Sequence, residues 1–344
     1  MSQKVNVSVV GASGYTGMEA VRVLQGHPNV TVTRLYGGKS AGSAFPDHYA
    51  GMESLVDLPI LPFDELLKDD SEAIFLGLPH GKSAEVAHTL FEAGYKGHII
   101  DMSSDFRLKD PAAYEKWYGW THPHPELIGR FVYGLTEWYR KEIRIADHIS
   151  NPGCFASALQ LGLLPFAKEG LVNSCEVTGI TGSSGSGVSP SEGTHFSNRF
   201  GNVKAYKVYR HQHIGEVEQS LSDHIPEGSV VPEVRFVPVS GPFVRGIWMT
   251  IAIRLNEEAD AVQLLEEEYY NAPLLRLRDG MPELKQVVGS AFTDIGCVQD
   301  GRNVVVGVAI DNLLKGAASQ AVQNFNLMMD MPEETGLTFP PMIL

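Results

Sequence analysis

The sequence predicts an α/β protein whose first half folds as a doubly wound parallel sheet. Two observations support this: residues 5–35 have a strand–glycine turn–helix–strand pattern, and β-rich runs continue to alternate with helix-length segments up to residue 150. At 344 residues, with 43% apolar and 20% charged residues, the chain is long enough for two domains. This composition is ordinary for a globular protein with a hydrophobic core.

The opening segment predicts a dinucleotide site. A strand at residues 5–10 leads into a glycine turn, and a helix from residue 18 and a strand from residue 30 follow. Such glycines let a pyrophosphate approach the backbone at a helix N-terminus. The turn residues expected to bind the cofactor are Gly11, Ser13, Gly14, Tyr15, Thr16 and Gly17. Their spacing is GxxGxxG rather than the commoner GxGxxG, so a plain tight turn is the alternative.

The end of the second strand indicates which dinucleotide binds. NAD sites usually place Asp or Glu about 20 residues beyond the glycines, where it holds the ribose 2′-hydroxyl. Here the stretch contains no acid but two bases, Arg34 and Lys39, followed by Ser40. The sequence therefore favours NADPH over NADH. The alternative is that both bases are solvated surface charges.

Two further segments follow predicted parallel strands. Pro79-His80-Gly81 follows residues 73–78, and a segment ending in Arg107 follows residues 98–101. Ligands of such sheets bind beyond the carboxyl ends of the strands, so we expect both segments to face the cofactor crevice. We expect Cys154, which follows a short strand at residues 148–150, to reach the same cleft.

The stretch 114–124 is rich in aromatic residues and histidines. We expect a packed lid or a subunit contact there. His122 and His124 have no third or fourth ligand at a suggestive spacing, so the sequence predicts no metal site.

One of the three cysteines has the setting of a nucleophile. Cys154 follows a Pro-Gly turn and precedes an apolar run at residues 158–166 that is typical of a helix. The N–H groups at a helix N-terminus carry roughly half a positive charge, which favours the nucleophilic thiolate. Cys175 and Cys297 lie in strand-like stretches instead. The local pattern fits either a nucleophile or a small core residue that begins a helix.

The second half offers groups that could work with a thiol. His211 and His213, followed by Glu216, precede an amphipathic helix and could supply a general base, although a surface histidine run is the alternative. Arg245 lies in a turn and is suited to bidentate binding of phosphate or carboxylate. The small-residue loop 181–187 either cradles an anion or simply crosses between elements.

The remaining secondary structure of the second half follows from apolar runs. Residues 236–238 and 246–255 are expected to be strands of an antiparallel sheet, and residues 304–310 a buried strand. Asp311 and Asn312 then open and cap a long helix that reaches about residue 329.

Charge and targeting patterns exclude several classes of function. A formal net charge of −14 disfavours general nucleic-acid or membrane-surface binding but leaves anionic substrates possible. Three cysteines without a CxxC pair predict free thiols in a reducing compartment. No signal-peptide pattern and no apolar run of about 20 residues is found, so the sequence predicts a cytoplasmic protein.

Four motifs, in order along nearly the whole chain, resemble the N-acetyl-γ-glutamyl-phosphate reductase family, which is related to the aspartate-semialdehyde dehydrogenases. The motifs are Gly11-Ala12-Ser13-Gly14-Tyr15-Thr16-Gly17, Asn151-Pro152-Gly153-Cys154, His211-Gln212-His213 and Asp311-Asn312-Leu313-Leu314-Lys315-Gly316-Ala317-Ala318. The resemblance implies a Rossmann domain that binds NADP (residues 1–153 and 311–344). It also implies an inserted α+β catalytic and dimerisation domain (residues 154–310) and a homodimer or homotetramer.

The resemblance further implies a reaction and residue roles. An acyl phosphate, N-acetyl-L-glutamyl 5-phosphate, would be reduced by NADPH to the 5-semialdehyde with release of inorganic phosphate, as a step of arginine biosynthesis. Cys154 would form the thioester, and His211 would be the acid/base, with His213 as its rival. The residues implied for substrate binding are Arg107, Arg245 and Glu216, and Asn312 joins Lys39, Ser40 and Pro79 at the cofactor.

The chain departs from the commonest family form, which has His-Arg-His and then a proline before the glutamate. Here Gln212 replaces the arginine and Gly215 precedes Glu216. An N-succinyl substrate, or the aminoadipyl phosphate of lysine-pathway relatives, is therefore an alternative. A non-catalytic NADP-binding sensor is the alternative from another functional class.

Overall fold

The computed structural model describes residues 4–342, which form two compact units. The first unit comprises residues 4–115, Trp120–Pro152 and Ala317–Thr338. The second comprises Lys116–Gly119, Gly153–Gly316 and residues 339–342. Each unit contains one sheet, and helices pack against it.

The strands and helices have the following bounds in the described part of the chain. The strands are β1 (Val5–Val10), β2 (Val30–Tyr36), β3 (Ile60–Leu61), β4 (Ala73–Leu76), β5 (His98–Asp101), β6 (Phe131–Tyr133), β7 (His148–Ser150), β8 (Ser174–Thr181), β9 (Lys204–Ala205), β10 (Glu233–Ser240), β11 (Ile247–Arg254), β12 (Leu275–Leu277), β13 (Thr293–Asp300) and β14 (Asn303–Ile310). The α-helices are α1 (Tyr15–Gln25), α2 (Ser83–Glu92), α3 (Pro111–Tyr118), α4 (Thr136–Arg144), α5 (Cys154–Ala167), α6 (Phe196–Arg199), α7 (His213–His224), α8 (Ala261–Tyr269) and α9 (Ser319–Met328).

The sheet of the first unit is parallel throughout, which confirms the predicted doubly wound fold. Its order is β3-β2-β1-β4-β5-β7-β6. From β1 the chain builds outward first through β2 and then, on the other side, through β4. Dinucleotides bind at such a reversal, beyond the carboxyl ends of the strands. Helices α1 and α4 pack against α9, so the chain's last helix completes this unit.

The glycine turn occupies that reversal, because backbone segments cross there too closely for a side chain. Gly11 has a φ of +80°, and a Cβ on it would lie 2.3 Å from the Gly77 carbonyl oxygen. A Cβ on Gly17 would lie 2.2 Å from the Gly11 carbonyl oxygen. Helix α1 begins at Tyr15, three residues before the predicted start.

The sheet of the second unit is mixed, with the order β12-β13-β14-β11-β8-β10-β9. The prediction that residues 236–238 belong to an antiparallel sheet was wrong for their main pairing, because β10 runs parallel to β8. Helix α7 lies between these two strands in sequence, and parallel neighbours require such a crossover. Strand β11 is antiparallel to both β8 and β14, as expected.

The division into units differs from the predicted domains by one residue at Gly153, which belongs to the second unit, and at three short segments. Residues 311–316 pack with the second unit, where the Asp311 carboxylate accepts hydrogen bonds from Arg245 and from the N–H of Gly289. Residues 339–342 do so as well, since the N–H of Met342 donates to the Val288 carbonyl. The third segment is Lys116–Gly119, which packs on α7.

The helix expected from residue 311 begins with a different geometry. Leu314–Ala318 forms a π-helical turn before α9 begins at Ser319. The predicted cap is present, because Asp311 accepts hydrogen bonds from the N–H groups of Leu313 and Leu314.

Gly17→Ala should destabilise the protein by about 1–3 kcal/mol, because its Cβ overpacks against the Gly11 backbone. Gly14→Ala is the matched control. Gly14 has a φ of −82°, and its Cβ would meet only the Gly11 oxygen, at 3.5 Å. Urea unfolding of both variants tests this, and equal midpoints for the two would contradict the close-approach explanation.

Candidate active site

The segment before Cys154 is held tightly by the first unit. Asn151 follows β7 and donates its backbone N–H to the Asp101 carbonyl at 2.7 Å. Its side-chain amide donates to the Ala317 carbonyl and accepts a hydrogen bond from Asn324. Backbone and side chain of this residue are therefore both fixed at the carboxyl edge of the parallel sheet.

Cys154 is the first residue of α5, as the local pattern predicted. Gly153 caps the helix in an extended conformation, so the thiol lies where the N–H groups of the first turn concentrate positive charge. Cys154 is partly exposed. Burial raises the pKa of the Cys175 thiol to about 12 and also raises that of Cys297, so both favour the unreactive thiol.

The π-helical turn packs directly against the cysteine. A Cβ on Gly316 would lie 2.6 Å from the Cβ of Cys154. The glycine of the fourth motif is thus explained by close approach of backbone to the cysteine.

The two histidines are not a surface run, since His211 and His213 are 4% and 8% exposed. Their ring centroids lie 4.6 Å apart, and that of Phe155, the neighbour of Cys154, lies 5.3 Å from His211. Tyr206 lies 5.9 Å from His211, and its pKa is raised by burial and by the charge of the Cys154 thiolate. The start of α5 and both histidines therefore lie in one neighbourhood of the second unit, which Phe155 and Tyr206 connect.

Glu216 connects the parts of this cluster. Its carboxylate is fully buried, and its Oε2 accepts the N–H of Gly153 at 2.9 Å. Its Oε1 accepts the Tyr118 hydroxyl at 3.4 Å and lies 4.0 Å from Nε2 of His213. Both oxygens thus have protein partners. Sequence reasoning placed this residue at the substrate and missed these contacts.

Sequence reasoning also missed the role of Trp117 in this cluster. A Cβ on Gly215 would lie 2.5 Å from the Trp117 ring, so only glycine leaves room for the indole. Lys116 lies over the same ring, 4.3 Å from its centroid, and its Nζ is 3.6 Å from a carboxylate oxygen of Glu218. Gly215, which replaces the family's usual proline, is the sequence signal for this contact with Trp117.

The two histidines differ in their surroundings. Nδ1 of His211 accepts the backbone N–H of His213 at 3.2 Å, so the neutral ring carries its proton on Nε2. Burial, then the neighbouring His213 and Lys207, lower the pKa of His211 to about 2. This ring is therefore neutral at physiological pH. His213 is the histidine that lies beside a carboxylate.

Both predicted substrate-binding arginines have protein partners. Arg107 is buried and donates to the carbonyls of Asn151 and Met102. Arg245 forms a two-point salt bridge with the buried Asp311 carboxylate at 3.0 Å. Their contact with substrate stays a prediction.

Asn312, predicted to bind the cofactor, holds a loop of the second unit. Its Oδ1 accepts the N–H of Gly246 at 2.6 Å, and its amide donates to Ser184. In the loop 181–187 the N–H groups of Gly182, Ser183 and Ser184 donate to backbone carbonyls of residues 243–246. These N–H groups are therefore not available to bind an anion.

Several predicted cofactor residues lie together at the carboxyl ends of β1 and β2. The hydroxyls of Ser13 and Ser40 are hydrogen-bonded at 2.9 Å, and Lys39 is exposed beside them. Arg34, by contrast, lies 2.6 Å from Asp70 and 3.6 Å from Asp69. Of the two bases considered for a 2′-phosphate, Lys39 therefore remains the candidate.

The ends of two helices differ in a way that favours α1 as the phosphate site. The first turn of α1 has no side-chain cap and no acidic residue. At α2 the Asp105 carboxylate already accepts the N–H groups of Gly81 and Ala84. Helix N-termini bind phosphate through such N–H groups, so α1 offers the open position. Pro79 is exposed just beyond β4.

None of the helices in residues 4–342 combines the length and the apolar composition that a membrane-crossing helix requires.

Family models and solved structures agree with this architecture. Residues 6–146 match the semialdehyde dehydrogenase NAD binding domain, and residues 154–312 match the semialdehyde dehydrogenase dimerisation domain. Aspartate semialdehyde dehydrogenase II from Vibrio cholerae superposes with a TM-score of 0.74 at 18% identity, covering 95% of this chain and 99% of that one. The Candida albicans aspartate semialdehyde dehydrogenase with NADP gives 0.66 at 15% identity, covering 95% and 99%. At these identities the likeness establishes the fold.

Curated relatives are closer in sequence. An N-acetyl-gamma-glutamyl-phosphate reductase from Geobacillus stearothermophilus is 42% identical, covering 98% of this chain and 99% of its own length. The Bacillus subtilis (strain 168) protein of that name is 40% identical with the same coverage, and the Bacillus cereus (strain AH187) protein is 37% identical over 99% and 100%. The chain belongs to the semialdehyde dehydrogenase family and, within it, to the N-acetyl-γ-glutamyl-phosphate reductases.

Proposed function

We propose that this protein uses NADPH to reduce N-acetyl-L-glutamyl 5-phosphate to N-acetyl-L-glutamate 5-semialdehyde and inorganic phosphate, in arginine biosynthesis. The observation that carries the proposal is Cys154 at the start of α5, clustered with two buried histidines. The names of its relatives point to this substrate over the N-succinyl and aminoadipyl alternatives. A sensor without catalysis would have no use for a thiol placed in this way.

In the proposed reaction the Cys154 thiolate attacks the acyl carbon. The bond from that carbon to the phosphate oxygen breaks, phosphate leaves with the electron pair, and a thioester remains. The residues of the glycine turn would hold NADPH, which would supply the hydride for reduction of the thioester. With one proton from the acid/base residue the reduced species is a hemithioacetal, and return of that hydroxyl proton to the same residue lets it collapse to the aldehyde and the Cys154 thiolate. The N-terminus of α5 stabilises negative charge on the sulfur at the start and at the end of this sequence.

We assign the acid/base role to His213. A general acid or base works best when its pKa lies near the working pH and a further group orients its ring. The buried Glu216 carboxylate, 4.0 Å from Nε2 of His213, is such a group. His211 stays neutral and carries its proton on Nε2, so it suits donation of a hydrogen bond to the developing oxyanion. This assignment differs from the sequence prediction, which favours His211.

The cofactor is proposed to lie with its pyrophosphate at the N-terminus of α1, over Gly11–Gly17, and with Lys39 and Ser40 toward the 2′-phosphate. Pro79, at the adjacent strand end, and Asn312 stay candidate cofactor-binding residues. Arg107, Arg245 and Glu216 are retained as candidate contacts of the acyl phosphate.

The second unit matches a dimerisation domain, and the chain oligomerises through it. We propose a homodimer or homotetramer, formed through the sheet face opposite α5. On that face Ala252, Val298 and Val305 are exposed, the two valines by 55% and 37%. Sedimentation equilibrium reports the mass of two or four chains, whereas a single-chain mass contradicts the proposal. Location in the cytoplasm stays a prediction.

The substrate assignment is tested by following NADP reduction in the presence of phosphate. The test compares the semialdehydes of N-acetylglutamate, N-succinylglutamate, aminoadipate and aspartate. The N-acetyl compound should give the highest kcat/KM. Cys154→Ser should abolish turnover but retain NADPH binding, whereas the control Cys297→Ser should stay active. Preference for another semialdehyde corrects the substrate, and an active Cys154→Ser variant rejects the thioester mechanism.

The histidine roles are tested by pH profiles of kcat. His213→Gln should lower kcat by about 10²- to 10⁴-fold and remove the limb of the pH profile that the acid/base residue produces. His211→Gln should lower kcat but keep that limb, because a group with a pKa of about 2 does not titrate in the assay range. Loss of the limb in His211→Gln alone would reverse the assignment.

A further inference from the structure

We infer that Arg199 binds the α-carboxylate of the substrate and thereby selects acyl phosphates that carry one. The inference rests on the proposed function and adds a specificity-determining residue to it. Arg199 is the last residue of α6, in the segment 182–203 that connects β8 to β9. Its guanidinium is turned into the second unit, where Nη2 donates to the Thr181 carbonyl at 3.2 Å.

Helix α6 buries its cation and exposes its aromatic neighbours, which is the reverse of the usual pattern. Phe196, which begins α6, and Phe200, which follows it, are each 72% exposed. Arg199 is half-buried, and its Nε is buried without a hydrogen-bond partner. Burial lowers the pKa of this guanidinium, because the charged form loses solvation. A buried donor without a partner is costly, so the placement of Arg199 favours a role in binding an anion.

The end of the sheet that Arg199 reaches is the end at which Cys154 lies. Thr181 is the last residue of β8, and the register places it level with the first residue of β11 and, one strand further, with the last residue of β14. The π-helical turn that follows β14 packs on Cys154 through Gly316. An anion held by Arg199 would therefore lie on the same side of the second unit as the proposed nucleophile.

Tyr206 relates Arg199 to this site. The pKa of its phenol is raised by burial and by the charge of the Cys154 thiolate, and it is lowered by the charge of Arg199. Its ring lies 5.9 Å from that of His211. Within residues 4–342, Tyr206 is the group whose charge acts on Arg199. Arg199 is therefore more remote from the sulfur than Tyr206 is, which suits contact with the far end of a substrate better than contact with its reacting carbon.

Arg199 differs from the other arginine at this end of the sheet in having no acidic partner. Arg245 contacts both oxygens of the Asp311 carboxylate at 3.0 Å. Arg199 forms no ion pair with a carboxylate in the described part of the chain. Arginine binds carboxylates through parallel N–H···O bonds, and Nε can supply one of them. The phosphate leaves from the carbon that joins the sulfur, whereas the α-carboxylate lies at the other end of the substrate. The remote position of Arg199 thus favours the carboxylate.

Two aldehydes that differ only in this carboxylate test the inference. N-acetyl-L-glutamate 5-semialdehyde carries it, and N-acetyl-γ-aminobutyraldehyde is the same molecule without it. Both are oxidised with NADP and phosphate. Arg199→Gln should lower kcat/KM for the semialdehyde by about 10- to 100-fold, through KM rather than kcat, because one charge-assisted interaction is lost. It should leave kcat/KM for the aldehyde without the carboxylate unchanged. Arg199→Lys should recover part of the loss, since it keeps the charge but not the paired geometry.

Arg254→Gln is the matched control for the loss of one positive charge. Arg254 is exposed and ends β11, which is antiparallel to β8, so it lies at the opposite end of the sheet from Thr181. Its substitution should leave kcat/KM for both aldehydes unchanged. Circular dichroism compares the folding of all variants with that of the native protein.

Four results would overturn the inference. Equal losses on both aldehydes would show that Arg199 only supports the structure of the site. Unchanged kinetics in Arg199→Gln, or equal kcat/KM of the native protein for the two aldehydes, would show that the carboxylate is not recognised there. A raised KM for phosphate alone would place Arg199 at the leaving group. All four semialdehydes of the substrate comparison carry an α-carboxylate. If another one is preferred, the substrate assignment fails, and the same test is made with that semialdehyde and its analogue without the carboxylate.

Discussion

The arrangement of the second unit depends on one buried carboxylate, that of Glu216. A buried charge is costly unless its oxygens are hydrogen-bonded or paired. Here the Gly153 N–H, the Tyr118 hydroxyl and the neighbouring His213 meet that requirement. The same contacts that satisfy the carboxylate also tie Gly153, the cap of α5, to α7. The positions of Cys154, the proposed nucleophile, and of His213, the proposed acid/base, are therefore set together.

Two glycines, which have no side chain, are as important to this site as the groups proposed to react. Gly316 lets the π-helical turn approach Cys154, and Gly215 leaves space for the Trp117 ring on the histidine helix. Trp117 in turn precedes Tyr118, which reaches Glu216. Both glycines therefore act through close packing rather than through backbone flexibility. The contact with Trp117 explains why glycine precedes Glu216 in this chain, where its family commonly has proline.

The sequence was most informative where structure depends on local pattern. The predicted strands 98–101 and 148–150 have the bounds observed, and Cys154 begins a helix as expected. Apolar periodicity, turn residues and helix-start signals all operate over a few residues, so they can be recognised without knowing the fold.

The errors concern pairings between residues far apart in the chain. The parallel pairing of β10 with β8 depends on a crossover through α7. The salt bridge of Arg34 on β2 depends on Asp70, which lies in the loop before β4. His124 stacks on His88 of α2, a contact that its sequence neighbours do not indicate. Such contacts follow from topology, which local patterns do not encode. A lone buried glutamate has no signature at all until its partners are known.

A double-mutant cycle on kcat between Glu216 and His213 tests the central claim most directly. If Glu216 acts by positioning His213 and the Gly153 turn, then Glu216→Gln should cost much less in a His213→Gln background than in the native protein. The double variant should therefore lose far less activity than the product of the two single losses. A loss equal to that product would contradict the account, because it would mean that the two residues act independently.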